Sequence, residues 1–188
     1  MATHAAVDSS WAQPLRDRFA DRILGERESA PGEIEFKVTR ETILEFLGAL
    51  QRLEGGGFDH LADLTGYDDY PRRPRFYALY ELISMTRKLR VSVLVPLEEG
   101  DETVPSATGL WEGANWLERE TFDMLGIKFG GHPDMRRMLL PQAFVGYPLR
   151  KNFVVDYRQQ YPEGAGAPMG GFDPFGNTIV NVAQEEES

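Results

Sequence analysis

The sequence predicts an α+β fold: a two-layer domain over residues 1–153, in which helices pack on a small mixed or antiparallel sheet, and an extended C-terminal arm over residues 154–188. Periodic segments follow one another in the order helix, strand, helix, strand, strand, strand, which is typical of such domains. The 41% hydrophobic and 11% aromatic content is enough to form a sizeable core. After residue 153 the periodicity is lost although aromatic residues remain, so this end predicts an arm that lies on another surface.

The first third of the domain predicts a helix, a strand and a second helix. Apolar residues recur at every fourth position: Leu15, Phe19 and Ile23. Pro14 suits the first turn of this helix and Gly25 its end. Apolar and charged residues alternate over residues 33–38, as in a half-buried strand. Thr39 is then a candidate N-cap for a helix that extends to Leu53.

The rest of the domain predicts three strands and a third helix. A short strand is expected over residues 58–65, and residues 75–85 carry apolar side chains on both alternating faces. That pattern indicates a central strand covered on two sides, either by this chain alone or by this chain and a partner. Residues 89–95 alternate again after a three-residue link, which predicts an antiparallel hairpin. The third helix is expected from about Gly113 to Leu125.

Composition excludes several classes of function. The chain has 20 basic and 30 acidic residues, a net charge of −10, which is opposite in sign to the footprint of a nucleic-acid-binding protein. It has no cysteine, which excludes disulfides, thiol nucleophiles, thiolate-bound zinc and ordinary iron–sulfur clusters. The most apolar stretch, residues 89–97, is far shorter than the roughly 20 residues that a membrane-spanning helix needs. The first residues also lack the layout of a signal peptide, so we expect no direct membrane span.

Charge is unevenly distributed along the chain. Residues 118–153 contain six basic and four acidic side chains, whereas the segments before and after them have net charges of −7 and −5. Four of these cations lie within sixteen residues: Arg136, Arg137, Arg150 and Lys151. Such a cluster suits RNA or phosphate, or acids on this chain or on a neighbour. Because the chain is acidic, we favour a protein interface over nucleic acid.

Two interpretations compete for the acidic residues of the third helix. The first is a metal-dependent hydrolase whose site consists of Glu118, Glu120, Asp123 and His132. The second, which we favour, is an ion-paired helix in which Arg119 neutralises its acidic neighbours, because one histidine among scattered acids does not have metal-ligand spacing. Pro133 places His132 in an extended turn, where a structural hydrogen bond is more common than catalysis. With no nucleophile elbow and no phosphate-binding loop, the sequence predicts no catalytic, cofactor-binding or metal residue.

The stretch ERETFDMLGIKFGGHPDMRRMLLP, residues 118–141, resembles the signature of the C subunit of bacterial NADH:quinone oxidoreductase, respiratory complex I, and of its thirty-kilodalton mitochondrial counterpart. The family pattern has Glu-Arg-Glu, an acid with two apolar residues, a histidine or lysine, a basic residue and two more apolar positions. These are met by Glu118, Arg119, Glu120, Asp123, Met124, Leu125, His132, Arg136, Met138 and Leu139. The GYPLRK of residues 146–151 resembles the family's continuation, and weaker similarity reaches back to about residue 60.

The resemblance implies a cofactor-free structural and assembly subunit in the peripheral arm of a proton-translocating enzyme that passes electrons from NADH through FMN and iron–sulfur clusters to quinone. FMN and the clusters would belong to partner subunits, and this chain itself would be non-catalytic. Its partners would be other hydrophilic-arm subunits, especially the quinone-site subunit and neighbouring cluster-carrying subunits, at the cytoplasmic face of the bacterial inner membrane. The expected interface residues are Glu118, Arg119, Glu120, Asp123, His132, Arg136, Arg137, Pro148, Arg150 and Lys151.

Overall fold

A computed structural model describes residues 9–30 and 33–154. The helices in these ranges are α1 Gln13–Phe19, α2 Ile43–Gln51 and α3 Ala114–Leu125. The strands are β1 Ile23–Ala30, β2 Glu33–Val38, β3 His60–Asp68, β4 Phe76–Ser84, β5 Leu89–Leu97, β6 Thr103–Pro105 and β7 Lys128–Gly130. Short 3₁₀ turns flank α1 at Ser10–Ala12 and Ala20–Arg22. The predicted C-terminal arm lies outside the described residues apart from Val154.

Five of the strands form one mixed sheet in the order β1-β2-β5-β4-β3. Strands β2 and β5 run parallel, and the other neighbours in the sheet are antiparallel. The short strands β6 and β7 form a separate parallel pair, which the sequence did not predict. The α+β class with a small mixed sheet is confirmed, and its central hairpin, β4 and β5, is the predicted one.

All three helices pack on one face of the sheet. Aromatic rings join α1, α2 and β2: Phe19 contacts Phe46 with ring centroids 5.1 Å apart, and Phe46 contacts Phe36 at 5.3 Å. Beside α3, Gly66 of β3 leaves room for Ile127, since a Cβ at position 66 would lie 2.7 Å from the Ile127 Cδ1 atom. These buried apolar side chains form the core, whose removal from water is the main stabilising contribution.

No helix of residues 9–30 or 33–154 covers the opposite face of the sheet, which we call the open face. The register places Lys37 beside Leu94, and Tyr67 beside Tyr77, on this side. Leu94 and Tyr77 are nevertheless only 4% and 7% exposed, because neighbouring strands curl around them. The helices of the described chain therefore cover the central strand on one side only, and cover of the other side by a partner stays a prediction.

The N-terminal boundaries differ from the prediction. The first helix ends at Phe19, and Ile23 begins β1, so Gly25 lies within a strand and does not end a helix. Strand β1 is mostly exposed and lacks apolar alternation, so backbone pairing with β2 decides its conformation. Thr39 is not the N-cap of α2, because the Thr42 N–H bonds the Thr39 carbonyl at 3.1 Å and a turn forms first.

Other boundaries are close to those expected. The helix α2 ends at Gln51, two residues before the predicted end, and β3 runs to Asp68 instead of residue 65. The predicted third helix is confirmed, and it ends at Gly126, whose φ of 78° is a left-handed conformation that glycine adopts without strain. Among the described helices, none has the length and apolar character that a bilayer crossing requires.

Candidate functional site

Helix α3 and the irregular segment after β7 form the site that the sequence singled out. Residues 131–154, which we call the anchored segment, contain neither helix nor strand. A backbone without regular hydrogen bonding needs other partners to hold one conformation. Three buried or part-buried ionic groups of the domain supply those partners. Two of them contain predicted site residues, and the third bonds the backbone of another, Lys151.

Asp123 is the first of these groups, and it is fully buried. Its Oδ2 atom accepts hydrogen bonds from the backbone N–H groups of Met138, Leu139 and Leu140 at 3.0, 2.7 and 2.9 Å. Its Oδ1 atom accepts a hydrogen bond from Arg137 Nη1 at 2.7 Å. Burial alone would raise the pKa of Asp123, but these donors outweigh it and lower that pKa. One carboxylate therefore fixes a turn of the anchored segment to the helix.

Arg150 is the second group, at the C-terminal end of α3. Its Nε atom donates to the carbonyl of Leu125 at 2.6 Å, and its guanidinium pairs with Glu102 at 3.3 Å. A cation at this end also favours the helix dipole. The ring of Tyr147 packs under the same guanidinium, 4.8 Å from its centre. A side chain at Gly126 would collide with Tyr147 and Arg150, at 2.5 and 2.7 Å, so glycine is needed here for space as well as conformation.

The third group is the buried ion pair of Asp68 and Arg75, which sequence reasoning missed. Arg75 Nη2 donates to Asp68 Oδ2 at 2.7 Å and to Asn152 Oδ1 at 2.6 Å, and Asp68 Oδ2 also accepts from the Lys151 N–H at 2.9 Å. The Arg75 hydrogen bond lowers the pKa of Asp68 to about 2, against the effect of burial. Asp68 is the last residue of β3 and Arg75 directly precedes β4. Polar residues are common at strand ends, so no local signal in the sequence marked this pair.

Glu118 is buried on a different side of α3 and holds another loop. Its Oε1 atom accepts from the Ala107 N–H at 2.6 Å, and its Oε2 atom accepts from the Ser106 hydroxyl at 2.7 Å. Burial raises the pKa of Glu118 to about 7, although these two hydrogen bonds oppose the change. Burial and the nearby Glu118 charge also raise the pKa of Tyr80.

His132 and Arg119 bond the backbone. His132 Nδ1 accepts from the Asp134 N–H at 2.9 Å, and its Nε2 atom lies 3.2 Å from the Asn115 carbonyl, which assigns the proton to Nε2. Arg119 Nε donates to the Arg136 carbonyl at 3.1 Å. His132 is thus a structural hydrogen-bonding residue in this arrangement, and Arg119 helps to hold the anchored segment.

The remaining predicted residues face outward or contribute backbone. Arg136 pairs with Asp134 at 2.7 Å and is 72% exposed. Glu120 and Lys151 are exposed, and Pro148 is half-buried.

The hydrolase interpretation finds no support in this geometry. Glu118 and Asp123 bind separate loops, and both ring nitrogens of His132 already have backbone partners. Among the residues that the structure describes, no group of three or more histidine, cysteine or acidic side chains could hold a metal ion. The arrangement can fix backbone in place, but it brings no reactive groups together.

The surface of the anchored segment is apolar in places. Its large exposed apolar side chains are Leu139, Val145, Leu149 and Val154, which are 58–79% exposed. Trp116 on the outer side of α3 is 60% exposed, and the Arg119 guanidinium lies 5.2 Å from the centre of its ring. Large exposed apolar side chains on a segment whose backbone is fixed by hydrogen bonds are typical of protein-interaction surfaces.

The fold and the site define a small α+β domain whose buried charges fasten a long irregular segment along one helix. Residues 36–159 match the family model described as the respiratory-chain NADH dehydrogenase 30 kDa subunit. The chain belongs to this family, which confirms the family resemblance noted in its sequence.

Curated relatives match most of the chain. The C 2 subunit of NADH-quinone oxidoreductase in Rhizobium etli (strain CIAT 652) is 43% identical over 159 residues, which cover 82% of this chain and 83% of the relative. The C subunit of NADH-quinone oxidoreductase in Roseiflexus sp. (strain RS-1) is 44% identical over 148 residues, which cover 78% and 84%.

Two solved structures share the fold. A trypsin-resistant fragment (1-134) of Nqo5 is 34% identical with a TM-score of 0.57, and the match covers 65% of this chain and 96% of the fragment. A chain of the membrane-bound sulfane sulfur reductase, an archaeal respiratory membrane complex, has a TM-score of 0.62 over 76% of this chain and 84% of its own. At 19% identity, that second similarity concerns the fold alone.

Proposed function

We propose that this chain is a cofactor-free structural and assembly subunit in the peripheral arm of a proton-translocating NADH:quinone oxidoreductase. The observation that carries the proposal is the contrast within the anchored segment. Its backbone is held by buried charges, while Leu139, Val145 and Leu149 remain exposed. A surface that is ordered before its partner arrives loses little conformational entropy on binding.

The predicted interface residues take two different parts in this function. Asp123, Arg137 and Arg150 are positioning residues, because their charges are spent on backbone and on one another. Glu118 is a positioning residue too, because its carboxyl group accepts hydrogen bonds from Ala107 and Ser106. Residues on the exposed surface, with Arg136 among them, contact the partners. The apolar side chains supply most of the contact area, and exposed charges such as that of Arg136 add specificity.

The partners are other hydrophilic-arm subunits, especially the quinone-site subunit and neighbouring cluster-carrying subunits. Iron–sulfur clusters reside in those partners, since this chain has no cysteine to ligate one. FMN is placed in a partner by the family resemblance alone. The chain is then held peripherally, at the cytoplasmic face of the bacterial inner membrane, through the complex. The arm over residues 154–188 extends the contact with these neighbours.

The test changes exposed apolar residues of the anchored segment and follows assembly. The double variant Leu139→Ser with Val145→Ser is introduced into the full chain, which is expressed together with the other peripheral-arm subunits. We expect at least a tenfold loss of co-purified subunits and of NADH:quinone activity in membranes, with the thermal unfolding of the isolated chain unchanged.

The matched control is Met85→Ser, which alters a 70% exposed apolar residue at the β4–β5 connection. This variant should assemble like the natural chain. Equal assembly of the double variant and the control, or a redox centre or turnover in the purified chain alone, would contradict the proposal.

A further inference from the structure

The open face of the sheet carries a row of acidic residues that crosses four strands. The register places Asp63 of β3 beside Glu81 of β4, Glu81 beside Ser92 of β5, and Ser92 beside Glu35 of β2. Glu35 is neutralised by Arg27, which makes two hydrogen bonds to it at 2.6 and 2.8 Å. Asp63 and Glu81 form no ion pair with any residue that the structure describes. Like charges directly opposite each other destabilise a pair of strands, so this arrangement is unfavourable for the chain alone.

Glu81 has the least complete hydrogen bonding of this row. Its Oε1 atom accepts a hydrogen bond from the Ser92 hydroxyl at 2.8 Å, whereas its Oε2 atom is buried and receives no hydrogen bond from the described residues. Burial raises the pKa of Glu81, the Ser92 hydroxyl and Arg90 oppose that change, and the nearby Glu33 and Asp63 add to it. A buried carboxylate oxygen without a donor destabilises the folded state. A cationic donor from another molecule removes this penalty.

Apolar and aromatic side chains surround these acids. Leu79 and Ile83 lie on the same face of β4 as the acidic row and are half-buried, although no described helix covers them. A neighbouring groove of about 320 Å³ is lined by the stacked rings of Tyr67 and Tyr77, with centroids 4.8 Å apart. The Lys37 ammonium lies 5.2 Å from the centre of the Tyr77 ring, so this pair already contacts one cation. The Tyr67 side chain is 38% exposed, which leaves room for a second.

The charges of the open face decide which kind of partner it suits. Three acidic and two basic side chains line the groove, and Asp63 and Glu81 beside it add two unpaired acids. Beyond that row, Glu33 and Arg90 balance each other at 3.9 Å. Residues 155–188 contain six acidic residues and one basic residue, and the whole chain has a net charge of −10. Neither that segment nor a second copy complements the face, whereas a basic segment of another protein does.

We propose that the open face binds a basic segment of another peripheral-arm subunit. An arginine or lysine of that segment lies between Asp63 and Glu81 and donates to the Glu81 carboxylate, while its apolar side chains contact Leu79 and Ile83. The inference rests on the proposed function, because it takes the partner from the same enzyme complex. It adds a second surface, since the anchored segment is fastened along α3 and the helices pack on the opposite face of the sheet. The domain then joins two neighbours, one on each face.

The test neutralises the two unpaired acids in the full chain, which is expressed together with the other peripheral-arm subunits. We expect Asp63→Asn with Glu81→Gln to lower the amount of co-purified subunits at least tenfold. The thermal unfolding temperature of the isolated variant should be unchanged or higher, because the repulsion between the two carboxylates is removed. If these acids served only the fold of this chain, that temperature would fall. The matched control is Asp17→Asn with Glu54→Gln, which neutralises two exposed acids on the helix side and should assemble like the natural chain.

A photo-cross-link in the assembled complex identifies the occupant. Benzoylphenylalanine replaces Thr65, which the register places beside Leu79 on the open face. We expect cross-links to a segment of another subunit that carries arginine or lysine, and Asp63→Asn with Glu81→Gln should lower their yield at least fivefold. Cross-links to residues 155–188, to a second copy or to a segment without basic residues would overturn the inference, as would an assembled complex without cross-links.

The anchored segment separates a failure of this inference from a failure of the proposed function. If the neutralised variant assembles like the natural chain while Leu139→Ser with Val145→Ser does not, the open face is not a docking surface and the proposed function stands. If both variants assemble like the natural chain, the proposed function fails as well.

Discussion

The sheet and its first two helices are held together differently from the segment that follows β7. Where α1, α2 and β2 meet, aromatic rings such as Phe19, Phe36 and Phe46 pack with centroids 5.1 to 5.3 Å apart. The anchored segment instead depends on ionic side chains, above all the buried Asp123 and the part-buried Arg150. Regular elements satisfy their own backbone groups and need only apolar contacts, whereas an irregular backbone needs donors and acceptors from elsewhere. The comparison shows that charged side chains can position a segment that contains neither helix nor strand.

The variant Asp123→Ala should break this arrangement most strongly. It removes four hydrogen bonds and leaves Arg137 without its carboxylate partner. We therefore expect the free energy of unfolding to fall by about 3–5 kcal/mol, as when a buried ion pair loses one partner. Hydrogen exchange should accelerate first in residues 131–154 and leave β4 and β5 protected. The measurement is urea unfolding together with exchange detected by mass spectrometry.

Two controls separate local from global effects in that experiment. Glu120→Gln changes an exposed acid on the same helix and should alter stability by less than about 0.5 kcal/mol. Phe46→Ala should lower the stability of the whole domain without selective release of the segment. If Asp123→Ala and Phe46→Ala gave the same exchange pattern, the contrast between the two regions would be incorrect.

The contribution of Glu118 to stability should depend on pH. Its pKa is about 7 in the folded chain against 4.5 when unperturbed, so its neutral form is favoured by folding. The stability that it contributes is fully present below about pH 4.5 and is lost as the pH rises through about 7. Glu118→Gln keeps a neutral group at this position at every pH. The free energy of unfolding of this variant, relative to that of the natural chain, should therefore rise by on the order of 2 kcal/mol between pH 5 and pH 8.

The measurement for Glu118 is a series of urea unfolding curves over that pH range. Asp68 provides a contrast of opposite sign, because its lowered pKa of about 2 gives stability that is present above about pH 3.8 and lost on acidification. A difference between Glu118→Gln and the natural chain that does not vary with pH would show that Glu118 is ionised throughout.

The neighbours Arg136 and Arg137 differ in burial, and Arg136 gives the smallest effect. Arg136→Ala removes a surface ion pair whose arginine is 72% exposed, so the thermal unfolding of the chain should be unchanged. Arg137→Ala removes a cation that is 12% exposed and is paired with Asp123. This variant should lower the free energy of unfolding by about 2 kcal/mol. Thermal unfolding of the two variants compares them directly, and equal costs would mean that burial does not distinguish these arginines.

The sequence predicted those parts of the fold whose signal is local. The β4–β5 hairpin follows from alternation in two apolar runs, and the predicted third helix, from about Gly113 to Leu125, matches α3. The half-buried strand β2 was equally visible. Ile23 was assigned wrongly because it continues a helical spacing, and its strand conformation comes from pairing with a segment fifteen residues away. Backbone pairing of this kind leaves no pattern in the side chains.

The candidate site shows the same division. The sequence by itself determined the family, through the fixed residues between Glu118 and Pro141, and it determined that no cysteine is available to bind a cluster. Only the tertiary structure decided that Asp123 and Arg150 face this chain's own backbone, and that Asp68 and Arg75 join them. The physical reason is that a charged side chain has the same sequence signature whether it meets water, a partner or a buried carbonyl. Its surroundings are set by contacts that bring together residues as far apart as Asp68 and Lys151.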